Sequence, residues 1–90
     1  MRIMQFDFDP QKAALNLAKH KVSFDEACTA LLDARALTRA DPDSVDEARW
    51  VTLGMTTAGR LVVVVWTERG DTLRLISARK ATKREEKCYA

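Results

Sequence analysis

The 90-residue chain has one histidine, two cysteines, three glycines, two prolines and six aromatic residues. A lone histidine, with no C-x-x-C or H-x-x-x-H pair, leaves almost no ligands from which to build a transition-metal site, and no cofactor is expected. Cys28 falls in a predicted helix and Cys88 in the tail, so the two form no stapling pattern and fit a reducing compartment. Few glycines and prolines, against a hydrophobic fraction of 47%, exclude disorder throughout. The longest apolar run, Leu61 to Trp66, falls far short of the roughly 20 residues that span a bilayer. The first ten residues carry two aspartates and lack the apolar stretch of a signal peptide, so a cytoplasmic protein is expected. Charge of one sign is also missing: 15 Lys+Arg face 13 Asp+Glu, and the net +2 names no partner.

What is present suits one small domain over residues 1–90. Such a chain buries roughly 65% of its unfolded surface, and its modest stability can be raised by a partner. Ile3, Phe6 and Phe8 predict a first strand within residues 2–8. Asp9-Pro10 is a helix start, an N-cap followed by the ring that suits the first helical position. Ala13, Ala14, Leu17 and Ala18 carry that helix to about His20. Ser23 and Glu26 fit a capping box that opens a second helix with a buried stripe at Phe24, Ala27, Cys28, Leu31 and Leu32. Pro42 among Asp41, Asp43, Asp46 and Glu47 marks a loop. Three β-like runs follow, Trp50 to Met55, Leu61 to Thr67 and Thr72 to Ala78, joined by short turns as an antiparallel meander. Thr82 and Glu85 form a second capping box for a short terminal helix reaching Tyr89. The order β-α-α-(short strand)-β-β-β-α predicts an α+β two-layer sandwich, with a small antiparallel sheet packed on an N-terminal helix pair. One sheet face would stay open to solvent, beside a basic tail.

Charge is unevenly placed along the chain. From Arg74 to Lys87 six basic residues stand against two acids, whereas residues 33–48 hold five acids against two arginines. The tail reads either as a solvated helix face or as a phosphate-binding patch, with Arg79 and Lys80 at the strand-to-helix junction. In Leu73-Arg74-Leu75 the arginine points away from its neighbours, so it faces the open side if the leucines face the helices. Each arginine, Arg49, Arg60 and Arg74 included, reads alternatively as the partner of an acid such as Glu47 or Glu68. Lys19 and His20 suit the negative end of the first helix, and His20 is also a possible proton carrier. Trp50 and Trp66 are expected in the core, whereas Tyr89, in the tail, is the better candidate to stack on a base.

The ordered motifs resemble a known family. They run Phe6-Asp7-Phe8-Asp9-Pro10-x-Lys12-Ala13, then Asn16-Leu17-x-Lys19-His20-x-Val22-Ser23-Phe24-x-Glu26-Ala27, Arg49-Trp50-Val51-x-Leu53-Gly54, and Gly59-Arg60-Leu61-Val62-Val63-Val64. They close with Thr67-Glu68-Arg69-Gly70-Asp71 and Arg74-Leu75-Ile76-Ser77-Ala78-Arg79-Lys80-Ala81. Over about residues 3–89 the chain is similar to the BrnT toxins of bacterial type II toxin–antitoxin systems. The resemblance implies a RelE-like fold, a ribonuclease activity that arrests translation, and a DNA-binding antitoxin of the BrnA type. It further implies a complex with two copies of each chain that represses its own operon. Two departures stand out: Lys21, where the family often has a glycine helix stop, and Ala48, where it often has a second glutamate.

RNA is cut without metal when its own 2′-hydroxyl attacks the adjacent phosphorus, given a base, cations for the phosphate charge and an acid for the leaving oxygen. For these roles the expected charge stabilisers are Arg60, Arg74 and Arg79, and the expected bases are Glu47 and His20. Lys19, Arg49, Lys80, Lys83 and Arg84 are expected to grip the RNA backbone, and Tyr89 to stack a base. A degenerate, non-enzymatic module that acts only through its antitoxin-like partner is the alternative. Direct DNA binding is disfavoured, because the helix from Ser23 to Leu32 carries acids where a recognition helix would be basic.

Overall fold

A computed structural model describes residues 5–45 and 47–89. It contains strand β1 (Gln5–Asp7), helices α1 (Pro10–His20) and α2 (Phe24–Leu31), and strands β2 (Leu37–Ala40), β3 (Arg49–Met55), β4 (Leu61–Arg69) and β5 (Thr72–Lys80), followed by helix α3 (Lys83–Glu86). The strands form one sheet in the order β1-β5-β4-β3-β2. The pairs β2–β3, β3–β4 and β4–β5 are antiparallel, as a meander requires, and β1 adds a parallel pair with β5. A parallel neighbour needs a long crossover, and everything from α1 to β4 supplies it. The first part of the strand expected over residues 2–8 lies outside the described residues, as does Asp46.

The helix ends follow local chemistry. Asp9 accepts a bond from the Gln11 amide at 2.9 Å, with Pro10 in the first turn. Helix α1 stops at Lys21, whose φ of 60° is left-handed and whose N–H donates to the Leu17 carbonyl. A lysine thus adopts the conformation that glycine supplies without strain. The Ser23 hydroxyl caps α2 by accepting from the Glu26 amide. The Glu26 carboxylate does not complete the expected box, because Arg60 and Thr56 hold it instead. The Thr82–Glu85 box is complete, but α3 ends at Glu86 rather than reaching Tyr89.

Helices α1 and α2 cover one face of the sheet. The core there comprises Val22, Phe24, Ala27, Ala30, Val62, Val64, Leu75 and Ala78, with Phe6, Phe8, Cys28 and Trp66 packed against it. A register slip at Val65/Trp66 lets Leu75 and Ala78 both point inward. Gly54 lets α2 approach β3, since a Cβ there would lie 2.5 Å from the Ala30 carbonyl oxygen. Trp50 and Trp66 stack across β3 and β4, and the Trp66 indole donates to Thr52.

Asn16 is buried and closes the β1 side of the sheet. Strand β1 pairs with β5 only as far as Arg74. Beyond that point the Asn16 amide donates to the Ala78 carbonyl at 2.8 Å and accepts from the Ala78 N–H at 3.1 Å. One side chain thus satisfies the edge as a neighbouring strand would, and its second donor bond reaches the Val22 carbonyl.

The face away from the helix pair is not fully open, contrary to expectation. Leu53 and Val63 point to that face and are buried. The C-terminal segment roofs them: Glu85 bonds Arg79, and the Tyr89 hydroxyl donates to Asp33. Between this roof and the sheet lies a groove of about 350 Å³, lined by Leu37, Arg39, Val51, Leu53, Val63 and Arg84 among others. Among the described residues no helix is long and apolar enough to cross a membrane.

Candidate functional site

The far end of β4 organises the polar chemistry of the free face. Thr67 stands between Arg49 on β3 and Arg74 on β5, and Asp7 on β1 follows Arg74 in the same row. Side chains alternate along strands, so Arg49, Thr67, Arg74 and Asp7 share the face opposite the core. Arg74 donates to the Asp7 carboxylate at 2.5 Å. Two strand spacings separate Arg49 from Arg74, roughly 10 Å between their backbones. Arg69, two residues beyond Thr67, lies 3.5 Å from the Glu47 carboxylate. Glu47, Arg49 and Arg69 line one polar cavity of about 380 Å³ together with Asp43 and Val45. Two carboxylates, Asp43 and Glu47, and two guanidinium groups therefore share a groove, with a third guanidinium one strand away.

The other expected residues lie elsewhere. Arg60 is at the opposite end of β4, just before the Leu61–Met55 pair, roughly 20 Å along the strand from Thr67. Its Nε donates to Glu26 at 2.8 Å, and its Nη2 reaches both that carboxylate and the Lys21 carbonyl. This guanidinium joins the β3–β4 turn to the α1–α2 corner. The Arg60 hydrogen bond holds the Glu26 carboxyl below the usual carboxylate range. Arg79 pairs across the sheet with Val63, about 13 Å along β4 from Thr67. Both of its terminal nitrogens donate to Glu85 at 2.8 Å. That bidentate pair lowers the Glu85 carboxyl to about 2.

His20 and Lys19 end α1, beside the Lys21 corner. Lys80 is exposed opposite Val62, and its charge helps to lower the Glu26 carboxyl. Lys83 and Arg84 are exposed on α3, and Arg84 rims the apolar groove. Tyr89, the expected stacking residue, is half-buried, and its hydroxyl donates to Asp33 at 2.5 Å. Asp33 also accepts the Met55 and Arg35 amides, so it ties the tail to the sheet. Burial pushes the Cys28 thiol up to about 11, as befits a core residue.

The structure thus gathers Glu47, Arg49 and Arg74 and leaves Arg60, Arg79 and His20 apart from them. Arg69 was missed by sequence reasoning, although its alternation with Thr67 places it on the same face. The sequence around Glu26 reads as a helix cap, and nothing local shows that a distant arginine, Arg60, would claim its carboxylate. Among the described residues no group of three or more His, Cys, Asp or Glu side chains could hold a metal ion.

A helix-backed sheet with arginines gathered on its free face defines a small α+β domain, and comparison supplies its family. A family model described as ribonuclease toxin, BrnT, of type II toxin–antitoxin systems matches residues 8–85, and the chain belongs to that family. Among solved structures it is similar to the Brucella abortus ribonuclease toxin BrnT, seen in a crystal structure at 1.1 Å resolution. The two chains are 25% identical, and the match covers 90% of this chain and 100% of that one with a TM-score of 0.68. Comparison with the curated proteins finds no match.

Proposed function

We propose that this toxin is a metal-independent endoribonuclease that arrests translation by cutting RNA at the Glu47 end of the sheet. One observation carries the reading: a carboxylate 3.5 Å from Arg69 in a groove shared with Arg49, with Arg74 on the adjoining row. In this reading Glu47 takes the proton of the attacking 2′-hydroxyl, whose oxygen bonds the adjacent phosphorus. Arg49, Arg69 and Arg74 stabilise the added phosphate charge. The bond to the 5′-oxygen breaks, that oxygen takes a proton from solvent, and a 2′,3′-cyclic phosphate remains. A positioned base contributes about 10²–10⁴-fold, and the cations held beside it stabilise the charge that develops on the phosphate. Lys83 and Arg84 extend the cationic track along the RNA backbone, with a grip that weakens as salt rises. Arg60 and Arg79 act as clamps of the fold. In the cytoplasm a DNA-binding antitoxin of the BrnA type neutralises the toxin, in a complex with two copies of each chain that represses their operon.

The test is cleavage of RNA by the purified chain in the presence of a chelator, with fragment ends analysed. Glu47→Gln should lower the rate by about 10²–10⁴-fold while leaving thermal unfolding unchanged, because Glu47 is exposed. Full activity in Glu47→Gln, or activity abolished by the chelator, overturns the mechanism. A wild-type chain that binds its antitoxin but cuts no RNA and arrests no growth would instead be a non-enzymatic binding module.

A further inference from the structure

The two edges of the sheet are finished differently. On one side β1 and the Asn16 amide close β5. On the other side β2 ends the sheet, and all four of its residues are exposed. We propose that β2 is a self-association edge that pairs antiparallel with β2 of a second copy of this chain about a two-fold axis at Thr38, joining two five-stranded sheets into one. The proposal is independent of the RNA-cleavage reading.

The register follows from the backbone. The Asp41 N–H donates to the Arg49 carbonyl, so Asp41, Arg39 and Leu37 direct their backbone groups inward to β3. Thr38 and Ala40 therefore direct theirs outward. The close Thr38–Thr52 hydroxyl contact, 2.8 Å, agrees, because side chains approach most closely in the non-hydrogen-bonded pairs. A two-fold axis perpendicular to the sheet keeps each face continuous, so only residues of one face can stand opposite each other. Centring on Arg39 would set two arginines directly opposite, which is unfavourable. Centring on Thr38 sets Leu37 against Arg39 of the second copy, and Arg35 against its Asp41. Thr38 N–H and C=O then bond their symmetry mates. The Ala40 N–H reaches the Ala36 carbonyl across the axis, while the Ala36 N–H stays with Asp33 in its own turn.

Charge names the occupant. Arg35 precedes the strand and Asp41 follows it, so antiparallel pairing of two identical copies places opposite charges together twice. Leu37, nearly half exposed, gains cover from the Arg39 stem of the second copy. Exposed edges of this kind are templates for strand addition unless they are blocked. An interface of one short strand is small, so the free chain should associate reversibly and weakly.

Register-specific crosslinking tests this in a chain whose Cys28 and Cys88 are replaced by serine. In the Thr38-centred register, Leu37 and Arg39 of the two copies form a non-hydrogen-bonded pair, with Cα atoms about 4.5 Å apart, within disulfide range. A mixture of Leu37→Cys and Arg39→Cys chains should oxidise to a species of twice the 10.1 kDa chain mass, and neither variant alone should. Circular dichroism checks that both variants are folded. Arg35→Glu should weaken self-association roughly tenfold, since two cross-pairs are lost and like charges meet. Crosslinking of Arg39→Cys alone overturns the register. A folded chain that stays monomeric at every concentration and crosslinks in no combination overturns the proposal. Protection of the β2 amides only when antitoxin is added also overturns it, and assigns the edge to that partner.

Discussion

Replacing Asn16 tests the joint on which the helix layer hangs. Its amide makes three hydrogen bonds: to the Val22 carbonyl at 2.9 Å and to the carbonyl and N–H of Ala78 at 2.8 and 3.1 Å. A hydrogen bond contributes about 1 kcal/mol net, and a buried backbone group left unpaired costs about 1–3 kcal/mol. Asn16→Ala removes all three bonds and orphans three backbone groups, of which solvent admitted by the smaller side chain recovers a part. The expected loss is about 3–5 kcal/mol. A chain of this length has roughly 4.5–13 kcal/mol of stability in all, so about a quarter of it or more is at stake. At about 4–8 °C per kcal/mol the midpoint should fall by at least about 12 °C. Thermal melts and urea titrations followed by circular dichroism measure this. Asn16→Leu separates packing from hydrogen bonding, since leucine fills the space but satisfies no backbone group. It should be nearly as unstable as alanine. A loss under about 1 kcal/mol in Asn16→Ala, or full recovery in Asn16→Leu, would refute the account of Asn16 as a substitute strand.

Other consequences follow from single residues. Lys21→Gly relieves a left-handed backbone that costs a non-glycine residue about 1 kcal/mol, and should raise the thermal midpoint by a few degrees with the Arg60 bond to the residue-21 carbonyl retained. Gly54→Ala should destabilise strongly, because the added methyl meets the Ala30 carbonyl oxygen; urea unfolding would show it. Folding lowers the Glu85 carboxyl from 4.5 to about 2 through Arg79, so its contribution is complete above pH 4.5 and is lost as pH falls toward 2. Thermal stability measured from pH 6 to pH 2 should therefore decline less steeply in Glu85→Gln than in the native chain. Arg60→Ala leaves the Glu26 carboxylate part-buried without its cation and should unfold more readily. If its RNA cleavage is lost while its melting curve is unchanged, Arg60 acts on the phosphate after all.

Much of this protein is legible in one dimension because the relevant forces are local. Asp9-Pro10, Ser23 and Thr82 start helices through bonds that span two or three residues. Apolar alternation and short turns produce the meander, and the ordered motifs carry the family. Leu73-Arg74-Leu75 even fixes which way Arg74 points, since a strand has only two faces. Other features depend on partners distant in sequence. Glu26 looks like a capping residue until folding brings Arg60, 34 positions away, to its carboxylate. Tyr89 looks like a free aromatic until its hydroxyl meets Asp33, 56 positions earlier. The parallel placement of β1 and the roof over Leu53 and Val63 likewise depend on packing between remote segments. The grouping of Glu47 with Arg69 and Arg49 is set by the β3–β4 register, a long-range quantity. Sequence thus determined the elements, the family and the residue types on hand. Tertiary structure decided that Arg60 and Arg79 clamp separate elements while Arg49, Arg69 and Arg74 gather at the Glu47 end of the sheet, because such groupings are set by proximity in space and not along the chain.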